Sequence, residues 1–402
     1  MAALRRLAHR LQSFQFPPRL LPLPIPDFRG HLPRFSTSPP HFMTEYLVSY
    51  GLSPAAAAKA APRFSHLSST AKPDAAVAFL RSQGLGRAQL REIISWVPLL
   101  LLSDVDATLS PKFDAVRALG LTRAESARLF ALYPSALTYG IRSTLLPRVL
   151  FWLDLLGSSR LLMKWLARTW LLKYSVGLLL QNMSTLRGLG VPQDRVSAVV
   201  RTQPTVIMQS PAKFNALVAR VEACAGILPS SGMYVWCLFS LHNISDRSFR
   251  AKRAVVMRAA GCDEEEFAAM FRRAPCFMLV SAGLLRRKVE FLREKVGCSA
   301  ERLLMNPVLL TLSIDKRMAP RCRAVEALRS KGIDIGNSNM VTIVRLTEDR
   351  FVKKYILKYA EKVPEILELY PRVQGHAEIH RADFLGQKLI IHYGICVTQF
   401  VW

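Results

Sequence analysis

The sequence is short of acidic residues: 29 Asp and Glu stand against 55 Lys and Arg, which leaves a formal net charge of +26 over 402 residues. Half of the residues are apolar and the mean hydropathy is positive, so the chain has enough apolar surface to fold around a core. A basic chain that also forms a core points to a polyanionic partner, either nucleic acid or an anionic membrane surface.

Other absences exclude whole classes of site. The seven cysteines include no CxxC pair, which argues against a zinc ribbon and a secreted disulfide framework. The most apolar stretch, residues 145–180, is interrupted by charges, so no membrane-spanning helix is expected. No glycine-rich phosphate loop, HExxH motif or nucleophile elbow occurs, and we therefore expect no enzyme activity, cofactor or small-molecule substrate. His376 and His380 are four residues apart, but without a third ligand they do not predict a metal site.

The first forty residues differ in composition from the rest of the chain. They contain six Arg, no Lys and one acid, Asp27, and Leu4, Leu7 and Leu11 recur at helical spacing. This pattern is typical of an organellar transit peptide, so we interpret residues 1–40 as a targeting segment without a fold of its own. A mitochondrial destination is favoured by the Arg-Phe-Ser sequence at residues 34–36, and a chloroplast stays as the alternative because Ser and Thr follow. The remainder keeps most of the positive charge.

Two residue types recur along the chain with one period. Glycines lie 33–37 residues apart, and prolines recur in step with them, 22–25 residues before the next glycine of the series. The glycines are Gly84, Gly120, Gly157, Gly190, Gly226, Gly261, Gly297 and Gly332, and the prolines are Pro62, Pro98, Pro134, Pro204, Pro275 and Pro307. Prolines are missing from the series near Thr169 and Phe239. Eight periods in register indicate a repeat protein.

Each repeat is predicted to be helical. An apolar stretch with helical spacing ends at the proline, a longer helix then runs to the glycine, and the glycine suits the left-handed position that follows a helix. The sequence after the glycine carries helix caps, as at Thr122 with Glu125 and at Asp263 with Glu266. The fold class is therefore all-α, an α-solenoid of about eight repeats of about 35 residues over residues 43–370. Residues 371–402 lack the pattern and are an atypical C-terminal tail.

The repeat resembles the mitochondrial transcription termination factor (mTERF) family, in particular its plant organellar members. The residues that carry the resemblance are NPVLLTLS at 306–313, MFRRAP at 270–275 and KPDAAVAFLR at 72–81. The resemblance implies a right-handed superhelix of helical repeats whose basic concave groove grips double-stranded DNA. It also implies a role in organellar transcription, including termination, whereas some plant relatives act on organellar RNA and intron splicing.

Basic residues recur at fixed distances before the repeat glycines. Arg and Lys lie nine or eleven residues before the glycine, most regularly in the last complete repeats, with further cations close by. Because one phase of a repeat corresponds to one face, we predict a nucleic-acid-binding surface that contacts phosphates and conveys no sequence information. Its members are Arg148, Arg250, Lys252, Arg253, Arg286, Arg287, Lys288, Arg317, Arg321 and Arg323.

These observations favour a monomeric, non-enzymatic regulator that binds organellar double-stranded DNA, with the organellar transcription machinery as a further partner. One alternative is an organellar RNA-binding factor that acts in intron splicing. A second alternative is a protein-interaction scaffold, which the phased basic residues argue against. A membrane partner is not expected, because the only amphipathic segment outside the repeats is the predicted transit peptide.

Overall fold

A computed structural model of the chain describes residues 42–336 and 339–370. Within these residues every regular element is helical and no strand occurs, which confirms the all-α repeat fold predicted from the sequence. The predicted transit peptide, the C-terminal tail and the pair His376 and His380 lie outside the described residues.

The described residues form twenty α-helices. They are α1 (Phe42–Ser49), α2 (Pro54–Ala60), α3 (Ala71–Ser82), α4 (Arg87–Trp96), α5 (Ser110–Ala118), α6 (Arg123–Leu132), α7 (Leu146–Leu156), α8 (Ser159–Leu166), α9 (Val176–Gly188), α10 (Gln193–Thr202), α11 (Pro211–Ala225), α12 (Tyr234–His242), α13 (Asp246–Ala260), α14 (Glu264–Arg273), α15 (Ala282–Glu294), α16 (Ala300–Met305), α17 (Ala319–Ser330), α18 (Met340–Arg345), α19 (Glu348–Phe351) and α20 (Glu365–Leu369). The helices α5, α7, α9, α11, α13, α15 and α17, each of which precedes a repeat glycine, are called the third helices below.

Each repeat proline sits in the first turn of a short 3-10 helix. Proline lacks a backbone donor and disfavours a helical residue before it, so the preceding α-helix stops and a tight turn begins. The 3-10 helices are Ala61–Phe64, Pro98–Leu102, Pro134–Thr138, Pro204–Ile207, Pro275–Leu279 and Pro307–Thr311, with a further one at Leu357–Tyr359. Near Phe239, where the proline is missing, the uninterrupted helix α12 takes the place of this turn.

Several third helices begin with a π-helical turn. Such turns occupy Val105–Leu109, Ile141–Leu145 and Ile314–Met318, directly before α5, α7 and α17, and a fourth one, Val352–Ile356, follows α19. A π turn adds about one residue to a helical turn, so the register of these helices is shifted relative to the others. The capping boxes predicted at Thr122 and Asp263 are both present, and each carboxylate accepts from the backbone of its N-cap residue.

The chain packs as two compact units. The first comprises the described residues up to Asn182 together with Val200–Gln209, and the second comprises Met183–Val199 and the described residues from Ser210 onward. Each has an apolar interior: Phe113, Phe130 and Trp152 are fully buried in the first, and Phe271 and Phe351 in the second.

All eight repeat glycines have positive φ angles, as the sequence pattern predicted. At Gly261, with φ of 70°, the backbone N–H donates to the carbonyl of Met257 and closes helix α13. A side chain at this position would meet no neighbouring atom within 4 Å, so the requirement for glycine there comes from the backbone conformation alone.

We predict that Gly261→Ala lowers the free energy of unfolding by about 1–2 kcal/mol, because an L-residue is strained in the left-handed region. Gly283 in α15 is the matched control, since a Cβ there also meets open space while its φ angle is not positive. Gly283→Ala should raise stability by about 0.4–1 kcal/mol. Urea unfolding followed by circular dichroism measures both, and equal effects of the two substitutions would contradict the assignment.

Candidate nucleic-acid interface

Each of the seven third helices, α5 to α17, carries a polar side chain that donates to backbone carbonyls of the following repeat. These side chains are called the anchors below. Their acceptor carbonyls lie near the end of the 3-10 helix or of the segment that replaces it. The pairs are Lys112 with Leu137, Arg148 with Leu172, Asn182 with Ile207 and Gln209, Arg220 with Leu241 and Ile244, Lys252 with Met278, Lys288 with Leu310, and Arg321 with Val344 and Leu346. The last carbonyls of a helix lack an intrahelical donor and carry partial negative charge, so a cation or an amide N–H of the preceding repeat satisfies them.

Three anchors are lysines, and two of them, Lys112 and Lys288, are buried. The Nζ of Lys288 lies 2.8 Å from the Leu310 carbonyl oxygen, and only 3% of the residue is exposed. Burial lowers the pKa of Lys288 to about 8, and it lowers the pKa of Lys112 to about 8 in the same way. Burial also lowers the pKa of Lys252. These amino groups therefore act as internal hydrogen-bond donors between repeats.

Arg321 is the most extensively bonded anchor and is fully buried. One guanidinium nitrogen donates to the carbonyl of Leu346 at 2.6 Å, the other donates to Glu348 at 2.7 Å, and the guanidinium carbon lies 4.6 Å from the centre of the Phe351 ring. Glu348 also accepts a 2.7 Å hydrogen bond from the hydroxyl of Tyr370. This network ties α17 to α19 and to the residue after α20, and it secures the last described repeat.

The ten predicted phosphate contacts fall into two groups by exposure. Arg250, Arg286, Arg287 and Arg323 are exposed, and Arg286 also pairs with the exposed Glu290 at 3.7 Å. The others are half-buried or buried and have partners within the protein: Arg148, Lys252 and Arg317 donate to carbonyls, Arg253 pairs with Glu264 at 2.9 Å, and Lys288 and Arg321 are buried anchors. The expectation that equal phase means one exposed face is therefore wrong for Lys288 and Arg321. Their charged groups are directed into the protein, toward carbonyls of the next repeat.

Exposed and buried residues share one distance from the repeat glycine because the third helices differ in length. Counted forward from the N-cap residue, six of the seven anchors share one position. They lie seven residues after Ser175, Ser245 and Ser281, and eight after Asp104, Gly140 and Ser313, where a π turn adds the extra residue. Arg220, ten residues after Ser210, is the exception. This register is the sequence signal that identifies the other six anchors, including Lys112 and Asn182, which the glycine register missed; Arg220 fits neither register.

The same geometry places three of the exposed arginines on one side of their helices. Arg250 and Arg286 precede the anchors Lys252 and Lys288 by two residues, and Arg323 follows Arg321 by two. At about 100° per residue, two positions in either direction lie about 160° from the anchor. These three arginines, called the outward arginines below, therefore occupy the helix face opposite the inter-repeat contact, in the second compact unit.

Two other classes of site have no counterpart in the part of the chain that the structure describes. No group of three or more His, Cys, Asp or Glu side chains there could hold a metal ion. Among the same residues, no helix combines the length and the apolar character needed to cross a bilayer. The repeats thus offer basic surface and internal polar anchors as their chemically distinctive features.

Comparison with known protein families assigns the repeats. The chain matches one family, mTERF, over residues 77–239 and 240–352, which is more than half of its length. The chain belongs to the mTERF family. Membership implies a nucleic-acid partner and a part in the regulation of organellar gene expression, and members of this family are in general not enzymes. None of the curated proteins matches the sequence.

The buried lysines predict a pH-dependent difference in stability. Lys288 has a pKa of about 8 in the folded state and 10.5 as an unperturbed side chain, so between these values the unfolded state binds more protons. Its contribution to folding stability should therefore rise as the pH increases from 8 to 10.5. We expect the stability of the wild type relative to Lys288→Met to increase over that range, measured by urea unfolding at pH 7, 8.5 and 10.

Lys295 serves as the control, because it is an exposed lysine just after the same helix. The stability difference between the wild type and Lys295→Met should stay constant over this pH range. A constant difference for Lys288→Met as well would show that the Lys288 amino group is hydrated in solution.

Proposed function

We propose that this protein is a non-enzymatic regulator of organellar transcription that binds double-stranded DNA through its phosphate backbone. The supporting observation is the row of outward arginines on α13, α15 and α17, which repeats along three successive third helices. Guanidinium groups bind phosphate oxygens with paired, charge-assisted hydrogen bonds, which suits arginine to this contact. Arg287, also exposed and adjacent to Arg286 in the chain, adds to the same basic surface.

Phosphate contacts of this kind fix the position of a protein on a duplex without reading bases. A bound solenoid of this size would be an obstacle to a polymerase on the same duplex, and transcription termination or pausing is the outcome we propose.

We further propose that the chain acts as a monomer and that residues 1–40 direct it to the mitochondrion. A fusion of residues 1–40 to a fluorescent protein tests this targeting and should accumulate in mitochondria. Accumulation in chloroplasts would replace the mitochondrial assignment.

Reversing the charge of the exposed basic surface should weaken binding to duplex DNA. In the variant Arg250→Glu, Arg286→Glu, Arg287→Glu and Arg323→Glu, affinity should fall and the salt dependence should flatten, by about 0.9 in the slope of log K against log salt for each lost contact. Fluorescence anisotropy with a labelled duplex between 50 and 200 mM salt measures both quantities. The anchors are left intact, so the repeat packing is preserved.

The matched control reverses four other exposed cations of the same compact unit, Arg258, Lys295, Arg329 and Lys358. Both variants change the net charge equally, so a non-specific effect of charge would weaken both to the same extent. We expect the control to retain most of the affinity and the salt slope of the wild type. Equal losses in the two variants would refute a phosphate-binding surface at the outward arginines.

The competing assignment is an organellar RNA-binding factor for intron splicing, which would use the same basic surface. Competition between duplex DNA and a structured intron RNA at physiological salt separates the two functions. Preference for the duplex supports a role in transcription, and preference for the RNA overturns it in favour of splicing. Crosslinking and sequencing of the nucleic acid bound in isolated organelles then gives the target and the compartment.

A further inference from the structure

Two tryptophans of the first compact unit are unusually exposed. Trp96 is 54% and Trp170 is 52% solvent-exposed, whereas Trp152, Trp165 and Trp236 are each at most 8% exposed and belong to the core. Single exposed apolar residues are ordinary, but adjacent exposed aromatic rings form a contiguous apolar patch, and such patches mark interaction sites. The question is which ligand these two rings contact.

The exposed rings form part of a ladder that follows the repeat. Trp96, Tyr133 and Trp170 are separated by 37 residues each and lie at or just after the ends of α4, α6 and α8. The ring centres of Trp96 and Trp170 are 5.4 Å apart and those of Tyr133 and Trp170 are 5.8 Å apart, both with edge-to-face geometry. Tyr133 is buried, and its ring contacts that of Trp170. Trp170 lies in the segment where the proline series is interrupted.

The backbone next to Trp170 is firmly held. The indole of Trp152 donates to the carbonyl of Leu171 at 2.9 Å, and the carbonyl of Leu172 accepts from Arg148 at 2.5 Å. The guanidinium of Arg148 also lies 4.8 Å from the ring centre of Tyr139, whose hydroxyl is 3.1 Å from that of Tyr133. On the other side of the pair, the indole N–H of Trp96 donates to Glu92 at 2.7 Å. The two rings are thus held in place before any ligand arrives.

The charge around this ladder distinguishes between classes of ligand. The segments that carry it, residues 87–97, 128–148 and 164–175, contain eight Arg and Lys and one acid. Arg168 and Lys173, which flank Trp170 in the chain, are both exposed. Exposed aromatic rings among cations are the usual composition of surfaces that bind unpaired nucleotides, in which bases stack on the rings while cations contact the backbone. An apolar peptide partner would not require this excess of positive charge.

We propose that Trp96 and Trp170 form a stacking platform for unpaired bases of single-stranded nucleic acid. The proposal rests on the nucleic-acid-binding function above, and it adds a second class of substrate, single strands, to the phosphate contacts of the outward arginines. Stacking is tolerant of sequence because every base presents a flat π face, so the platform selects unpaired over paired nucleotides.

The test compares single-stranded and duplex oligonucleotides of one sequence, as DNA and as RNA, with the full chain and its variants. In the double variant Trp96→Ala and Trp170→Ala, we expect affinity for the single strand to fall at least tenfold while affinity for the duplex stays within twofold. The double variant Trp96→Phe and Trp170→Phe keeps an aromatic face and should retain most of the single-strand affinity. Thermal unfolding of both variants checks that the fold is preserved.

Each result has a distinct meaning. Unchanged single-strand affinity in the folded alanine variant, with the arginine variant still impaired on duplex, would refute the platform and leave the proposed function standing. Equal losses on single strand and duplex would also refute the platform, because stacking acts on unpaired bases only. If the wild type binds neither substrate, the platform and the proposed function fail together.

Discussion

The hydrogen bonds from buried and half-buried polar side chains to carbonyls of the next repeat are the interaction on which the rest of this structure depends. A 3-10 helix that starts at a proline is short, and its last carbonyls have no donor of their own. The third helices from α5 to α17 supply that donor from a side chain, which in six of the seven lies about two turns beyond the helix start. In the repeats that contain Pro134, Pro204, Pro275 or Pro307, the 3-10 helix leaves a carbonyl without a donor, and the anchor of the preceding repeat satisfies it.

This arrangement places the positive charge of the chain in two separate environments. Cations directed toward the next repeat are desolvated, which is why burial lowers the pKa of Lys288 and Lys112. Cations on the opposite face of the same helices remain hydrated and available to phosphates. Arg286 and Lys288 lie two residues apart on α15, yet Arg286 is exposed whereas Lys288 is buried, with 3% of its surface accessible. Position around the helix, rather than residue type, decides whether a cation is buried as an anchor or stays exposed.

Much of the fold could be predicted from the sequence, because glycine and proline act through the backbone. A left-handed residue after a helix and a missing N–H group are local requirements, so the helix ends and the 3-10 turns appeared where the two series placed them. The candidate site was harder to predict, because exposure depends on the angle around a helix. The π turns before α5, α7 and α17 shift that angle by one residue, and no composition signal indicates them. The stretch from anchor to glycine also varies: Arg321 lies eleven residues before Gly332, whereas Lys252 lies nine before Gly261, so Arg321 and Arg323 exchange roles relative to Arg250 and Lys252. The exposed pair of Trp96 and Trp170 likewise depends on packing between repeats, which residue spacing alone does not give.

Arginine modification with phenylglyoxal, followed by mass spectrometry, distinguishes the inward anchor Arg321 from the outward arginines. In the free protein, Arg250, Arg286 and Arg323 should react readily, whereas Arg321 should be unreactive. Addition of duplex DNA should protect the three outward arginines and leave Arg321 as it was. Reaction of Arg321 in the folded free protein, or unchanged reactivity of the outward arginines in the complex, would contradict the account.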